Sequence, residues 1–122
     1  MMVVDASAVL EILSHSATGL QLAVALKGIK LHAPHLIDLE VANAVRRWER
    51  LGVIAPGEAA EIFETFLSLD ITRHPHTPLL DEIWAFRHNL TAYDASYLAL
   101  ARALNAELLT MDSGLTTMAT RH

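Results

Sequence analysis

Four short apolar runs alternate with longer helical patterns along this chain of 122 residues. A β-strand that is buried on both faces gives a short apolar run, and such strands occur in parallel sheets whose faces are covered by helices. Consecutive parallel strands need a crossover connection, which the helical patterns supply. We therefore predict an α/β fold with three α/β/α layers around a short central parallel sheet, with strands at residues 1–4, 31–33, 69–72 and 107–110.

The helical patterns begin and end at residues that commonly cap helices. Gly52 is in position to end a helix, and Pro56 suits the first turn of the next one. Thr77 and Thr91 are in position to cap two further helices, of which the second is apolar on nearly every side and is therefore predicted to be buried. The predicted helices cover residues 8–13, 19–26, 35–51, 56–67, 77–88 and 91–104, with a polar loop at 73–76 and a short turn after residue 112.

Length and composition suit a single domain over residues 1–122. The apolar fraction of 52% is enough for a real core. The absence of cysteine removes disulfides, thiolate nucleophiles and Cys-ligated metals, and it suits the cytoplasm. No apolar run reaches the roughly 18 residues of a membrane span, and the first residues do not form a signal peptide. The net charge of −5 argues against a surface that binds nucleic acid by basic charge alone.

Four acidic residues from distant parts of the chain are expected at one edge of the predicted sheet. Asp5 and Asp112 follow strands, Glu40 lies in the second turn of a helix, and Asp94 lies in the first turn of another. Ligands of open parallel sheets bind beyond the carboxyl ends of the strands, where loops lead into helices. We therefore predict that these four carboxyl groups lie in one pocket at that edge.

Each acid also has a purely structural interpretation. Asp5 is in position to cap the following helix, and Asp112 precedes a Ser-Gly pair as a turn former. Asp94 lies three residues after Thr91, which is a capping-box spacing. A charge at the start of a buried helix nevertheless needs a partner. Glu40 could be a solvated helix residue, so the structural and functional interpretations both stay open for these acids.

The helix predicted over residues 35–51 carries one apolar stripe. The stripe consists of Ile37, Val41, Ala44, Trp48 and Leu51. Glu40 and Arg47 fall at the edge of this stripe rather than opposite it, so neither is placed on the solvent side. Arg47 belongs to the basic patch of residues 46–50, for which a solvated face is the simpler interpretation. The alternative is that Arg47 contacts phosphate and so helps to bind the substrate.

The predicted acidic pocket suits a hard divalent cation. Converging carboxylates repel one another, so either some become protonated or a cation neutralises them. Oxygen ligands without His or Cys favour Mg²⁺, or Mn²⁺, over Zn²⁺. Such a site can activate water and stabilise phosphoryl charge, which is the chemistry of phosphodiester hydrolysis.

The four acids lie in segments that together resemble the PIN-domain ribonucleases, and specifically the VapC toxins of bacterial toxin–antitoxin pairs. The segments are VVDASA at 3–8, HLIDLE at 35–40, NLTAYDA at 89–95 and LTMD at 109–112. Their order and spacing are more specific than any one of them, and the resemblance covers nearly the whole chain. It implies a PIN-like fold and a Mg²⁺-dependent endoribonuclease in which Asp5 and Asp94 are the principal metal ligands, supported by Glu40 and Asp112.

The resemblance implies further residues and partners. Ser7 and Thr110 resemble the family's hydroxyl residues beside the first and last acids, and we expect them to contribute to substrate binding. Family members cut RNA, are blocked by a small antitoxin of the VapB type, and are commonly homodimers, so we expect all three partners here. Related chains continue into another strand after the last acid, whereas this chain ends at His122, which leaves that edge strand open.

Two other functions remain as alternatives. One is a catalytically silent PIN-like module that binds RNA or a protein, although all four acids are present. The other is a phosphatase with Asp5 as its nucleophile. Such enzymes usually carry a second Asp two residues on, where this chain has Ser7. The acid count and Ser7 both favour the nuclease.

Overall fold

The central sheet has four parallel strands, which are β1 Met2–Val4, β2 Leu31–Pro34, β3 Ile71–His74 and β4 Glu107–Leu109. The computed structural model of the protein describes residues 1–121, with side chains up to residue 119. The strand order is β3–β2–β1–β4. In this register, Val3 of β1 lies beside His32 on one side and Leu108 on the other. The predicted α/β class with a short central parallel sheet is confirmed.

Seven α-helices connect and cover the strands within residues 1–121. They are α1 Ala6–Leu13, α2 Ala17–Ala25, α3 Leu36–Arg50, α4 Pro56–Ser68, α5 Leu80–Ala85, α6 Ala92–Leu104 and α7 Ser113–Arg121. In this part of the chain, no single helix is long and apolar enough to cross a membrane. Only α1 and α2 taken together reach that length and composition, with a bend of 113° between them.

The helix α6 is the centre of one helical layer. It packs against β1, β2 and β4, with α5 and α7 beside it, whereas α1 to α4 pack against one another. Every residue from 95 to 101 is buried, which confirms the prediction from its apolar surface. Tyr93 is an exception, because it lies in the first turn at the edge of the sheet and is 61% exposed.

Local capping signals set several of the helix ends. Gly52 adopts a φ of +74°, and the next residue, Val53, donates its N–H to the Trp48 carbonyl at 2.9 Å. This is a Schellman ending of α3, as Gly52 predicted. Thr91 accepts the N–H of Asp94 on its hydroxyl at 3.1 Å, which confirms it as the cap of α6.

The third strand lies two residues later than predicted, at 71–74 rather than 69–72. Helix α4 continues through Ser68, so the next two residues are used for the turn into the sheet. The prediction of a polar loop at 73–76 is therefore wrong for Arg73 and His74, which belong to β3. An edge strand tolerates such polar residues, and Arg73 pairs with Asp38 at 2.8 Å.

The helix predicted over residues 77–88 is shorter and begins differently. Residues 77–79 form a 3₁₀ turn without a side-chain cap from Thr77, and α5 ends at Ala85. Phe86 is buried in the core, and its carbonyl accepts the N–H of Leu90 at 3.0 Å. The chain therefore turns over residues 86–90 to reach the start of α6.

The segment after Asp112 is a helix rather than the predicted short turn. Asp112 Oδ1 accepts the N–H of Leu115 at 2.9 Å, which caps α7. Leu115 and Met118, one helical turn apart, are both buried in the core. Within residues 1–121, no strand follows β4, so β4 forms an edge of the sheet.

The buried stripe of α3 differs from the prediction at its end. Ile37 and Val41 are fully buried, and Val45 continues the stripe. Leu51 was predicted to belong to it but is 64% exposed, because it lies at the C-terminal cap beyond the core.

Candidate active site

Asp5 lies between β1 and α1 and is only 5% exposed. Its Oδ1 atom accepts the backbone N–H of Ala8 at 3.0 Å and the hydroxyl of Ser7 at 2.7 Å. Its Oδ2 atom accepts the hydroxyl of Thr110. The predicted capping role of Asp5 is therefore confirmed, and its two oxygens together hold three donors.

The hydroxyls of Ser7 and Thr110 join two neighbouring loops at the carboxyl edge of the sheet. Ser7 Oγ accepts the N–H of Met111 at 2.9 Å, and Thr110 Oγ1 accepts the N–H of Asp112 at 2.9 Å. Each hydroxyl donates its hydrogen to Asp5. The two hydroxyl oxygens lie 3.3 Å from each other. The structure therefore brings both residues to Asp5, while their contribution to substrate binding stays a prediction.

Glu40 is half-buried on α3 and is not the solvated helix residue of the structural interpretation. Its Oε1 atom accepts the hydroxyl of Tyr97 at 2.6 Å. Burial raises the pKa of Glu40, the hydrogen bond from Tyr97 opposes this, and the charges of Asp94 and Asp5 raise it further. The charge of Glu40 is thus disfavoured by its surroundings.

Asp94 is the third residue of α6, and its own backbone N–H is bonded to Thr91. Burial raises the pKa of Asp94, and the charges of Asp112 and Asp5 raise it further. Asp112 is exposed and caps α7. Asp94 therefore interacts electrostatically with both Asp5 and Asp112 at this edge of the sheet.

Among the side chains described, up to residue 119, no ion pair joins any of the four predicted acids to a basic residue. The two ion pairs formed by Arg or Lys within the described chain, Arg73–Asp38 and Arg102–Glu82, lie elsewhere. In the part of the chain that the structure describes, no three acidic or histidine side chains already form a metal-holding group. The acids are therefore electrically coupled rather than assembled into a closed coordination sphere.

The chemistry of this edge fits a hard divalent cation. Every candidate donor is a carboxylate or hydroxyl oxygen, which favours Mg²⁺ or Mn²⁺ over softer metals. Burial raises the pKa values of Glu40 and Asp94, and the charges of neighbouring carboxylates raise them further, and a bound cation would offset both effects. Mg²⁺ keeps several waters and takes only one or two protein carboxylates directly, so it does not need a preformed group of three.

The structure differs from the sequence predictions at two further residues, Arg47 and Tyr97. Arg47 is exposed, and between residues 1 and 121 the structure shows no hydrogen bond or ion pair that ties it to the acids. The sequence pattern places Tyr97 in an apolar helix and does not predict the hydrogen bond between its hydroxyl and Glu40. A buried tyrosine needs a partner for its hydroxyl, and that rule, applied to the helix of Asp94, was the available signal.

Comparisons with known proteins agree with this fold. Residues 2–120 match the PIN domain family. The ribonuclease VapC9 of Mycobacterium tuberculosis H37Rv is 43% identical over 112 residues, which cover 92% of this chain and 86% of that protein. The ribonuclease VapC1 of the same strain is 43% identical over 115 residues, which cover 93% of this chain and 86% of that protein.

A solved structure extends the comparison to three dimensions. PAE2754 from Pyrobaculum aerophilum superposes with a TM-score of 0.74 at 25% identity, covering 98% of this chain and 93% of its own. The resemblance expected from the four sequence segments is thereby confirmed. The chain belongs to the PIN domain family and, within it, to the VapC proteins.

Proposed function

We propose that this protein is a divalent-metal-dependent endoribonuclease that acts as the toxin of a toxin–antitoxin pair. The observation that supports the proposal is the placement of acids at the carboxyl edge of the sheet. Asp5 follows β1, Asp112 follows the neighbouring β4, and the charge of Asp5 adds to the burial that raises the pKa values of Glu40 and Asp94. An acidic edge of this kind recruits a cation, and a cation is what an acidic protein needs in order to approach RNA. The ribonuclease names of VapC9 and VapC1 support RNA as the substrate class.

The residues of the chain divide the work of such a site. We assign Asp5 and Asp94 as the principal ligands of Mg²⁺, or Mn²⁺, with Glu40 and Asp112 in support. When bound, the cation would supply a Lewis acid that activates water and stabilises charge on the phosphate. Asp5 suits the role of a fixed ligand, because its cap on α1 and its two hydroxyl donors hold the carboxylate in one orientation.

The other residues of the edge have different environments. Asp112 is exposed beside the loop of Thr110, where its carboxylate can bind a cation that keeps part of its hydration shell. Glu40 and Asp94 have raised pKa values and therefore take up protons more readily than ordinary carboxyls when no cation is present. We assign Arg47, which is exposed on α3, a contact with the RNA phosphate rather than a place among the metal ligands.

We also propose the partners that the family implies. These are a small antitoxin of the VapB type, which blocks the acidic edge, and a second copy of the chain in a homodimer. A cytoplasmic location follows from the same proposal, since the RNA substrate and the antitoxin are made there.

The proposal is tested with purified protein and a mixture of defined RNAs. We expect cleavage at internal phosphodiester bonds with Mg²⁺ or Mn²⁺, and none when EDTA is in excess. A phosphatase would instead release phosphate from a small monoester such as p-nitrophenyl phosphate. Tight RNA binding without any cleavage in either cation would favour the silent module and contradict the proposal.

A further inference from the structure

Tyr97 is the largest fully buried side chain of α6, and its hydroxyl reaches the acidic edge. The hydroxyl donates to Glu40 Oε1 at 2.6 Å, and the backbone N–H of Ala6 acts on the oxygen of the same Tyr97 hydroxyl. Ala6 directly follows Asp5, and Tyr97 lies one helical turn after Asp94 on α6. One buried hydroxyl therefore connects the segments that carry three of the four acids.

The Tyr97–Glu40 hydrogen bond occupies one of the two carboxylate oxygens. Oε1 of Glu40 is held by the Tyr97 hydroxyl, which donates to it at 2.6 Å. For Oε2, the described residues show no hydrogen bond, so this oxygen stays available to a ligand.

The part of α6 that carries Tyr97 is packed tightly in the core. All residues from 95 to 101 are buried, so the ring of Tyr97 is held on every side by the core. A carboxylate on an exposed helix face, in contrast, samples several rotamers. The hydrogen bond from this well-packed hydroxyl therefore restricts the rotamers of the Glu40 side chain.

We propose that Tyr97 is a positioning residue that orients Glu40 for the divalent cation and the RNA phosphate. The inference rests on the proposed function and adds to it a residue that touches neither the cation nor the RNA. Groups that orient a metal-binding carboxylate in this way typically change metal affinity or activity by about 10–100-fold when removed.

The test is Tyr97→Phe, which removes one oxygen atom and keeps the ring. Two control variants lie on the same helix. Tyr93→Phe makes the same substitution at a side chain that is 61% exposed. Ser96→Ala removes another buried hydroxyl, which donates to the Tyr93 carbonyl at 2.6 Å rather than to an acid. Ser96→Ala therefore reports what the loss of a buried hydrogen bond does to stability alone.

Three measurements are made on each variant: thermal unfolding, calorimetric titration with Mn²⁺ alone, and kcat and KM for RNA cleavage. We expect Tyr97→Phe to weaken Mn²⁺ binding by about 10–100-fold and to lower kcat, with KM for RNA little changed. We expect both control variants to keep the wild-type affinity. Wild-type affinity in Tyr97→Phe, or an equal loss in Ser96→Ala, would overturn the proposal.

A measurement on the wild-type protein covers the case in which Tyr97→Phe does not fold. The ζ-carbon resonance of Tyr97 should shift when Mg²⁺ is added, and that of Tyr93 should not. An unmoved Tyr97 resonance at saturating Mg²⁺, or a wild-type protein that binds neither cation, counts against the positioning role. A protein that binds Mn²⁺ through a Tyr97-dependent site but cleaves no RNA would contradict the proposed function and leave the role of Tyr97 standing.

Discussion

The Oδ1 atom of Asp5 accepts the backbone N–H of Ala8 at 3.0 Å, so a candidate catalytic acid is also the cap of the first helix. The structural and functional interpretations of Asp5 are therefore compatible. The cap uses one oxygen and fixes the carboxylate at the edge where a cation would bind. Helix capping and ligand placement are in this case two results of one geometry.

Asp5→Asn should separate these two roles. Asparagine keeps the cap on Ala8, but its NH2 group cannot accept the Thr110 hydroxyl, so we expect the free energy of unfolding to fall by about 1.5–3 kcal/mol while the protein stays folded. The carboxylate charge is lost, so we expect RNA cleavage to fall to the level seen in EDTA. Chemical denaturation and a cleavage assay on the same preparation check both parts. Substantial cleavage by the folded variant would remove Asp5 from the ligand set.

Thr110→Val should destabilise the protein through Asp5. The substitution keeps the shape of the side chain but removes the hydroxyl, which donates to Asp5 Oδ2 and accepts the backbone N–H of Asp112. A hydrogen bond to a charged group contributes about 1.5–3 kcal/mol, so we expect a loss of that order. Thr117→Val is a matched control, because Thr117 is exposed and, among the described contacts, its hydroxyl donates to the Ser113 carbonyl rather than to an acid. Equal unfolding free energies for the two variants would show that Asp5 does not depend on Thr110.

Local signals made much of this fold and edge predictable. Gly52 and Thr91 act within a few residues of themselves, so their caps follow from the sequence alone. The cap at Asp5 is of the same kind. The position of β3 was not predictable in this way, because it depends on where α4 stops and on the pairing of Ile71 with Leu31 across the sheet.

The contact between Tyr97 and Glu40 is the clearest case of what the sequence did not show. The two residues are 57 positions apart, and no local pattern links a tyrosine in an apolar helix to a glutamate in another. The prediction that Leu51 is buried was wrong for a related reason, since helical periodicity does not show where the core ends. Such features depend on tertiary packing rather than on spacing.

Glu40→Gln should stabilise the cation-free protein at neutral pH. The pKa of Glu40 is raised in the folded state, so the folded state binds more protons than the unfolded state between the ordinary carboxyl pKa and the raised value. The free energy of unfolding therefore falls as pH rises through that window. Glutamine carries no charge and still accepts the Tyr97 hydroxyl, so it escapes this loss.

The Glu40 prediction is checked by thermal unfolding in EDTA from pH 4 to pH 7. We expect the difference between Glu40→Gln and the wild type to grow with pH. Glu64→Gln, at an exposed position of α4, serves as the control. A difference that stays constant over the range would mean that the charge of Glu40 is not disfavoured by the fold.

His32 should make the protein less stable in mild acid. Its Nδ1 atom lies 2.9 Å from Nε2 of His74, so at least one ring must be neutral to accept a hydrogen bond. Burial lowers the pKa of His32, and the positive charges of His74, the N-terminus and Lys30 lower it further. The unfolded state then binds more protons below the ordinary histidine pKa, so stability falls as pH falls through that value.

His32→Asn keeps a side-chain amide near Nδ1 and removes the titrating ring. We expect its unfolding free energy to depend less on pH between about 7 and 5 than that of the wild type. His88→Gln, at an exposed position, is the control and should leave the slope unchanged. An identical slope in His32→Asn would show that the histidine pair does not respond to pH.

The metal-dependent nuclease function is tested most sharply by cleavage of a defined RNA by Asp94→Asn in saturating Mg²⁺. Among the described contacts, the Asp94 carboxylate accepts no helix-capping hydrogen bond, whereas Asp5 and Asp112 each cap a helix. Replacing Asp94 should therefore disturb the fold less than replacing either of them. Asp81→Asn, in the first turn of α5, is the matched control. We expect Asp94→Asn to fold but not to cleave, and Asp81→Asn to cleave at the wild-type rate. Metal-dependent cleavage by folded Asp94→Asn at the wild-type rate would contradict the proposed function.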